Sequence, residues 1–306
     1  MLSKNKIKFI QSLQNKKIRE QEKVFLVEGD KIVMEAIFSN QDIRLLCATD
    51  SFLTSLQGST QSSLLSLRGT KQSLPSSLRG TKQSPSSLRG TKQSPPSSLR
   101  GTKQSLSLGI FNIEEIISVT EEELQKASLM QSPQNALAVV GMPKSSFNIS
   151  SVCGNLSLAL DFIQDPGNLG TIIRLADWFG INHLLCSENT VDCYNPKVIQ
   201  SSMGSIFRVN MHYLNLPQTL DEANRCELPV YGTFLEGDNI YRHPLSENGI
   251  LVIGNEGNGI SLEVAEKIEQ KLFIPPFPVG QKTSESLNAA TATAICCSEF
   301  RRRFHK

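Results

Sequence analysis

The second half of this chain of 306 residues constrains the fold most, because short apolar runs alternate there with helix-like stretches from Ser157 onward. The predicted strands are 158–163, 183–186, 207–211, 230–234, 250–253 and 272–274. The helices predicted between most of them are 169–179, 196–206, 218–225, 262–268 and 286–300. This alternation predicts an α/β fold with a mostly parallel, doubly wound sheet. Such sheets bind ligands beyond the carboxyl ends of their strands, so we expect the chemistry in loops 164–170, 254–259 and 275–286.

A low-complexity segment interrupts the first half. Ser-Leu-Arg-Gly-Thr-Lys-Gln-Ser occurs four times between Ser66 and Ser105, at spacings of 11, 10 and 11 residues that fit no solenoid. Repeats with one Leu and several Ser, Gly and Pro bury too little to offset the entropy of ordering the chain. We expect a disordered loop over about 56–108, either a tolerated insertion or a basic arm that grips RNA. Residues 51–113 hold eight basic and no acidic side chains, so the net charge of +2 conceals an acidic remainder and is weak evidence for a nucleic-acid partner.

The residues on either side of the repeats predict one small α/β domain. Helical periodicity covers 6–17, strands are expected at 23–28 and 43–49, and Asp30 is a candidate cap of a helix that reaches Ile37. After the repeats, 114–118, 120–128 and 136–140 favour a strand or helix, a helix and a strand. We therefore expect two domains, 1–145 and 151–306, the first interrupted by the repeats.

The first of the three loops is Asp165-Pro166-Gly167-Asn168-Leu169-Gly170. Asn168 suits a helix cap, and Gly170 permits the close approach of another backbone. Arg174 follows among apolar residues, and it must reach an edge or a partner because an unpaired buried guanidinium is very costly. The plainer alternative is a capped helix with a surface arginine.

The second loop, 254–259, follows a strand and contains three glycines that can expose backbone N–H groups. Its order of glycines is neither the dinucleotide fingerprint nor a P-loop, and a simple turn is an equally good interpretation. Glu256, an acid at the tip of a neutral loop, favours a functional role. The third loop leaves Ile274 through two prolines, and Ser286 or Asn288 then opens a helix of small residues that suits tight packing.

Together and in this order, the loops resemble the three motifs of the SpoU (TrmH) family of RNA 2′-O-ribose methyltransferases, in the SPOUT superfamily. The motifs read Asn168-x-Gly170-x3-Arg174, Gly254-x-Glu256-Gly257-x-Gly259, and Ile274-Pro275 followed by Ser286-Leu287-Asn288. The N-terminal part, with Lys17-x-Arg19 and Phe25-x-Val27-Glu28-Gly29, looks like the substrate-binding domain of the family, and Ser132-x-x-Asn135 resembles its exit.

The resemblance implies a C-terminal α/β trefoil-knot methyltransferase domain, a small L30-like α/β N-terminal domain, and a homodimer. It implies S-adenosylmethionine as cofactor, in a pocket of Thr233, Gly254, Asn255, Glu256, Gly257, Ile274 and Leu287. The residues implied at the target ribose are Asn168, Arg174, Glu256, Ser286 and Asn288. The residues expected to contact RNA are Lys4, Lys16, Lys17, Arg19 and Lys31, while the basic tail 301–303 is either solvated or in contact with RNA.

The implied activity is 2′-O-methylation of a ribose in structured RNA, with rRNA favoured over tRNA. Arg174 matches the position that the family uses to activate the hydroxyl. Because arginine stays protonated, we expect it instead to bind phosphate and stabilise negative charge on the oxygen. The alternatives are a catalytically inactive RNA-binding or ribosome assembly factor with the same fold, and a nucleotide-binding regulatory domain without RNA.

Several classes of protein are disfavoured. No apolar run approaches the roughly 18–20 residues of a membrane helix, and the N-terminus lacks the apolar core of a signal peptide. The seven cysteines are odd in number and show no C-x-x-C spacing, which favours a reducing compartment and no structural metal. We therefore expect a cytoplasmic protein.

Overall fold

The computed structural model describes residues 1–69, 111–144, 146–278 and 284–304. Among these residues, those of 1–53 and 111–304 pack as one compact unit, and 54–69 belong to a second. The described part of the second unit belongs to a helix, α4 (Asp50–Gly69). The prediction of disorder from residue 56 was therefore wrong as far as Gly69. No proline occurs before Pro75 in this stretch, so nothing in the covalent backbone stops the helix. The rest of the predicted loop, 70–108, lies outside the described residues.

The N-terminal elements form a small mixed sheet with helices, as predicted. The elements are α1 (Lys4–Ser12), α2 (Lys16–Glu22), β1 (Val24–Glu28), α3 (Asp30–Phe38), β2 (Ile43–Ala48), α4, β3 (Ile116–Ser118), α5 (Glu121–Ala127) and β4 (Ala136–Gly141). The strand order is β1-β4-β2-β3, with β4 antiparallel to both neighbours and β3 parallel to β2. Ile10, Leu13, Leu26 and Leu124 lie in the core on one face of this sheet.

Two details of this region differ from the sequence analysis. The predicted helix 6–17 is two helices, because the Asn15 side chain accepts the backbone N–H of Lys17 and caps α2 separately. Asp30 is the first residue of α3 rather than its cap, which is Gly29. The Asp30 carboxylate instead accepts hydrogen bonds from Asn135, from the backbone N–H and from Nδ2, both at 2.8 Å.

The C-terminal elements form the parallel sheet that the alternation predicts. The elements are β5 (Leu156–Leu160), α6 (Pro166–Trp178), β6 (His183–Ser187), α7 (Pro196–Ser202), β7 (Asn210–Leu214), α8 (Leu216–Arg225), β8 (Val230–Asn239), β9 (Gly249–Ile253), α9 (Leu262–Ala265), β10 (Gln270–Phe273) and α10 (Ala289–Phe304). The strand order is β10-β8-β9-β5-β6-β7, and every neighbouring pair is parallel. Because β5 and β9 are adjacent at the centre, the loops that follow them open side by side.

Some helix and strand ends differ from the predicted ones, for identifiable reasons. The strand predicted at 207–211 lies at Asn210–Leu214, since 205–207 form a 3-10 turn. Helix α7 ends at Ser202 because Met203 and Gly204 adopt left-handed conformations, with φ of 51° and 91°. Helix α6 starts before Asn168, and its cap is Asp165. Gly180, directly after the C-cap Phe179 of α6, has the left-handed φ of 64° that favours glycine.

A buried ion pair connects helix α2 of the N-terminal region with the loop that follows β6. The Arg19 guanidinium donates to Asp192 Oδ2 at 2.5 Å and to the carbonyls of Leu13 and Gln14 at 2.7 and 2.8 Å. Arg19 is 2% exposed, so the prediction that it contacts RNA was wrong. The sequence analysis treated Arg19 as a surface charge, whereas its partner Asp192 comes from the distant loop after β6. The other predicted RNA contacts are exposed, namely Lys4, Lys16, Lys17 and Lys31.

The basic tail has intramolecular partners. Arg301 donates to the carbonyl of Phe179, and Arg303 donates to the carbonyls of Ile240 and His243. Two of its three arginines therefore anchor α10 to the domain. Within the described ranges, no helix has the length and apolar character needed to span a membrane.

Candidate active site

Three side chains from three separate parts of the chain form a hydrogen-bonded chain. Asn288 Nδ2 donates to Asn168 Oδ1 at 2.9 Å, and Asn168 Nδ2 donates to the Glu256 carboxylate. The partners are 120 and 88 residues apart in sequence. Ser286 Oγ lies 3.4 Å from the backbone oxygen of Glu256, as a donor to it. The structure thus brings together four of the five residues that the sequence analysis assigned to the target ribose.

The start of α6 explains why Asn168 is available. Asp165 Oδ1 accepts the Asn168 backbone N–H at 2.8 Å, so Asp165 caps the helix and Pro166 occupies its first turn. The Asn168 side chain is therefore not used as a cap and contacts the other loops. A Cβ added to Gly170 would stand 2.4 Å from the Ser201 Cβ, so α6 packs against α7 at backbone distance. This packing holds the first turn of α6 in place.

The loop that carries Glu256 is closed on itself. Asn255 and Gly259 exchange two backbone hydrogen bonds of 2.9 Å. The Asn255 side chain accepts from the N–H of Gly257 at 2.8 Å and donates to the carbonyl of Phe162 at 2.9 Å. A Cβ on Gly254 would lie 2.4 Å from the Gly259 carbonyl carbon, so only glycine permits this closure. Asn255 therefore shapes the loop through its side chain.

The third loop ends in a helix cap. Asn288 Oδ1 accepts the backbone N–H groups of Ala290 and Thr291 at 3.0 and 3.2 Å. Of the two candidates named from the sequence, Asn288 rather than Ser286 opens α10. Because the cap uses only its oxygen, its Nδ2 remains free to donate to Asn168.

A cavity of about 1060 Å³ adjoins this cluster. Its lining includes all seven residues predicted to form the cofactor pocket, which are Thr233, Gly254, Asn255, Glu256, Gly257, Ile274 and Leu287. The Cβ position of Gly257 has only Asn255 Oδ1 within 4 Å, at 3.5 Å, which leaves its backbone open to a ligand. Small and apolar residues thus make up most of the wall that loop 254–259 and the loop after β10 contribute.

Part of the cavity wall, on β8, was not predicted from the sequence. The pairing of β8 with β10 jumps from Gly232↔Lys271 to Asp238↔Leu272, so the residues between bulge away from the ladder. Phe234, Leu235 and Glu236 on this bulge line the cavity. The available signal was Gly237, because a glycine after a predicted strand is typical of a bulge.

Arg174 is not part of the hydrogen-bonded chain. It is exposed on α6, and it makes no hydrogen bond or ion pair with any residue that the structure describes. Six residues of helix place it about 9 Å along the axis and about 120° around it from Asn168. Within one chain, Arg174 and Asn168 therefore face different directions.

Comparison with known proteins gives a consistent result for both halves. Residues 155–298 match the SpoU rRNA Methylase family, and residues 4–72 match the MRM3-like substrate binding domain. The 23S rRNA (guanosine(2553)-2′-O)-methyltransferase RlmP of Bacillus subtilis is 36% identical over 178 residues, which cover 58% of this chain and 68% of RlmP. A 23S rRNA (uridine(2479)-2′-O)-methyltransferase of Streptomyces viridochromogenes is 30% identical over 199 residues, 62% of this chain and 68% of that enzyme.

Solved structures resemble the whole chain. A TrmH-family protein from Porphyromonas gingivalis superposes with a TM-score of 0.74 at 36% identity, covering 99% of both chains. The SpoU methyltransferase AviRb from Streptomyces viridochromogenes, in complex with AdoMet, shares the fold with a TM-score of 0.70 at 22% identity, again over 99% of both chains.

Proposed function

Because the chain belongs to the SpoU family of RNA methylases, we propose that it transfers a methyl group from S-adenosylmethionine to a ribose 2′-hydroxyl of ribosomal RNA. The observation that carries this proposal is the chain of hydrogen bonds from Asn288 through Asn168 to Glu256, at the edge of a cavity of suitable size. An inactive assembly factor has no need to keep these three side chains in contact. Ribosomal RNA is favoured by the relatives named above, which act on 23S rRNA.

The cavity suits S-adenosylmethionine. Its volume of about 1060 Å³ is at the upper end of ligand pockets. The open backbone at Gly257 and the apolar side chains of Ile274 and Leu287 fit a flat adenine that is bound through backbone groups. When bound, this cofactor supplies an electrophilic methyl group on a sulfonium, so the protein needs no nucleophile of its own.

The task left to the protein is to orient the ribose and to ease the loss of its proton. The amide of Asn168 has a single orientation, because its oxygen accepts from Asn288 and its nitrogen donates to Glu256. One Glu256 oxygen is engaged by Asn168, and the other is available to a ribose hydroxyl. We assign Asn168 and Asn288 to positioning Glu256, and Ser286 to the same side of the site.

We further propose a homodimer in which Arg174 of one subunit completes the site of the other. Two observations support this arrangement: Arg174 is exposed without a partner in the described part of the chain, and Trp178, one turn later on the same face of α6, is 84% exposed. An exposed tryptophan of this kind is typical of an interface. At the partner's ribose, the guanidinium binds a phosphate and stabilises charge on the attacking oxygen.

The remaining expectations complete the proposal. Residues 1–145 bind the RNA and 151–306 carry the methyltransferase, with a trefoil knot formed by the C-terminal loops. The knot is supported by the contact of Asn288, beyond β10, with the start of α6. The exposed lysines assigned to phosphate contact are Lys4, Lys16, Lys17 and Lys31.

The test is methyl transfer from labelled S-adenosylmethionine to rRNA from cells that lack the gene. Alkaline digestion should leave a resistant labelled dinucleotide, because a 2′-O-methyl group blocks cleavage at that ribose. Arg174→Lys should lower kcat by roughly 100-fold or more, since Lys lacks the planar fork. The matched control is Arg225→Lys, on the exposed face of α8, which should keep the wild-type rate. RNA binding with neither transfer nor cofactor binding would instead favour the assembly factor.

The dimer has its own test. A mixture of inactive Arg174→Ala and Asn168→Ala subunits should recover activity, because one site of each heterodimer then has both residues intact. If both residues act within one chain, neither site of the heterodimer is intact and mixing restores nothing. That result would refute the shared site while leaving the methyltransferase assignment standing.

A further inference from the structure

A second cavity, of about 560 Å³, lies where the N-terminal sheet meets the C-terminal domain. Its walls come from four places in the chain: the turn between α1 and α2, the end of β1, the loop 129–132 that follows α5, and the beginning of α7. Neither the cofactor pocket nor the cluster around Asn168 includes any of its lining residues. The cavity is therefore a separate feature of the molecule.

The lining offers hydrogen-bonding groups that the protein does not use. Gln14, Gln131 and Gln200 are exposed at the cavity, and their carboxamides make no hydrogen bond within the described ranges. Each carboxamide presents both donors and an acceptor. Buried Leu26 and Ile199 provide an apolar floor. This combination suits a flat, uncharged ligand whose edge carries donors and acceptors.

The charges of the lining argue against an anion as the ligand. Among the described lining residues, Lys197 is the one cation, whereas phosphate sites usually combine several donors with positive charge. Glu28 is the one acid, and it is 9% exposed. Burial raises the pKa of Glu28, and its carboxylate accepts from Ser128 Oγ and from the Leu129 N–H. Glu28 thus holds the 129–132 loop in place.

The cavity is close to the catalytic cluster. Lys197 Nζ, at its rim, lies 3.7 Å from Asp165 Oδ2, and Asp165 caps the helix that carries Asn168. The close packing at Gly170 fixes α6 against α7, on which Lys197 and Gln200 lie. A strand of RNA that placed its ribose at Asn168 would therefore have a neighbouring nucleotide within reach of the cavity.

We propose that this cavity receives an unstacked nucleobase of the substrate RNA, close to the methylated ribose, and that Gln131 and Gln200 read its edge. The inference rests on the proposed function and adds the element that selects the RNA. Proteins recognise RNA sequence mainly through bases that are splayed out of the helix and hydrogen-bonded on their edges. Base-modifying enzymes show that the cost of taking one base out of the stack is only a few kcal/mol, which a protein pocket can offset.

The test compares variants on transcripts of the mapped RNA. The double variant Gln131→Ala/Gln200→Ala removes two exposed carboxamides and should leave the fold and the S-adenosylmethionine affinity unchanged. It should lower kcat/KM for RNA by about tenfold, as for one or two lost hydrogen bonds. The matched control is Gln218→Ala, an exposed glutamine on α8 outside the cavity, which should behave as wild type.

Base specificity distinguishes a nucleobase from any other occupant. Each base near the methylated ribose is replaced in turn, and kcat/KM is measured with wild type and with the double variant. At one position, the replacement should reduce the wild-type value by about tenfold and the variant value hardly at all, because the reading groups are already lost. Equal reductions at every position, or no loss of kcat/KM in the double variant, would overturn the inference. Failure of the wild-type protein to methylate any RNA would overturn the proposed function as well.

Discussion

Arg19 provides the most demanding test of the structure, because its charged side chain is buried where α2 meets the loop after β6. Its guanidinium is 2% exposed, pairs with Asp192 at 2.5 Å and donates to two backbone carbonyls. Arg19→Met fills most of the same space but removes the donor to Asp192 Oδ2 and to both carbonyls. Removing one partner of a buried ion pair typically costs about 3–5 kcal/mol. This is a large part of the total stability of an ordinary protein, about 5–15 kcal/mol.

The assay is urea unfolding followed by circular dichroism, with the free energy of unfolding extrapolated to water. The control is Arg44→Met, which breaks two ion pairs of a half-exposed arginine, with Asp42 and Glu114. Surface pairs contribute little, so the control should lose at most about 1 kcal/mol. Adding Asp192→Asn to Arg19→Met should recover part of the loss, because the unpaired buried charge disappears. A loss below about 1 kcal/mol in Arg19→Met would refute the buried ion pair as a determinant of stability.

Three further outcomes follow from single sites. Gly254→Ala should weaken S-adenosylmethionine binding by at least about tenfold, as measured by calorimetry. The reason is that the added Cβ would lie 2.4 Å from Gly259 and force the loop open. The control variant Gly58→Ala, whose Cβ meets nothing within 4 Å, should bind the cofactor normally. Burial and the neighbouring His183 lower the pKa of His212 to about 4, so the folded state resists its protonation. Stability should therefore be complete above about pH 6.5 and fall toward pH 4 by up to about 1.4 kcal/mol per pH unit, and His212→Gln should flatten this part of the profile. Thiol labelling of the native protein should be fast only at the exposed cysteines, which are Cys153 and Cys226. Burial raises the pKa of the Cys296 thiol to about 12, so a rapid reaction there would contradict the packing of α10.

The fold of the C-terminal half was accessible from sequence because the relevant signals are local. A strand such as β9 is an uninterrupted apolar run, and the helices between strands show their periodicity within about three turns. The same holds for Gly180 after α6, where the left-handed conformation explains the glycine. Boundaries were less predictable. The sequence favoured Asn168 as the cap of α6, whereas the observed cap is Asp165. Pro166 fits the first helical turn after Asp165.

Four members of the candidate site could be predicted, but its geometry, the exposed position of Arg174 and the wall on β8 could not. The loops around Asn168, Glu256 and Asn288 are recognisable because each combines glycine, proline or asparagine with a neighbouring strand or helix. Which amide donates to which oxygen depends on contacts between residues 88 and 120 positions apart, and no local pattern encodes these contacts. The bulge of β8 over the cavity has the same origin, since it arises from the pairing of β8 with β10.

The sequence by itself determined the alternation of strands and helices, the identity of the three loops and, through them, the family. These properties depend on hydrophobic periodicity and on backbone preferences, which act over a few residues. The tertiary structure decided which charged and amide side chains are buried, exposed or brought together. It buried Arg19 against Asp192, left Arg174 exposed, and placed Gln131 and Gln200 around one cavity. A side chain's environment depends on the elements that pack against it, and distant parts of the chain supply those elements.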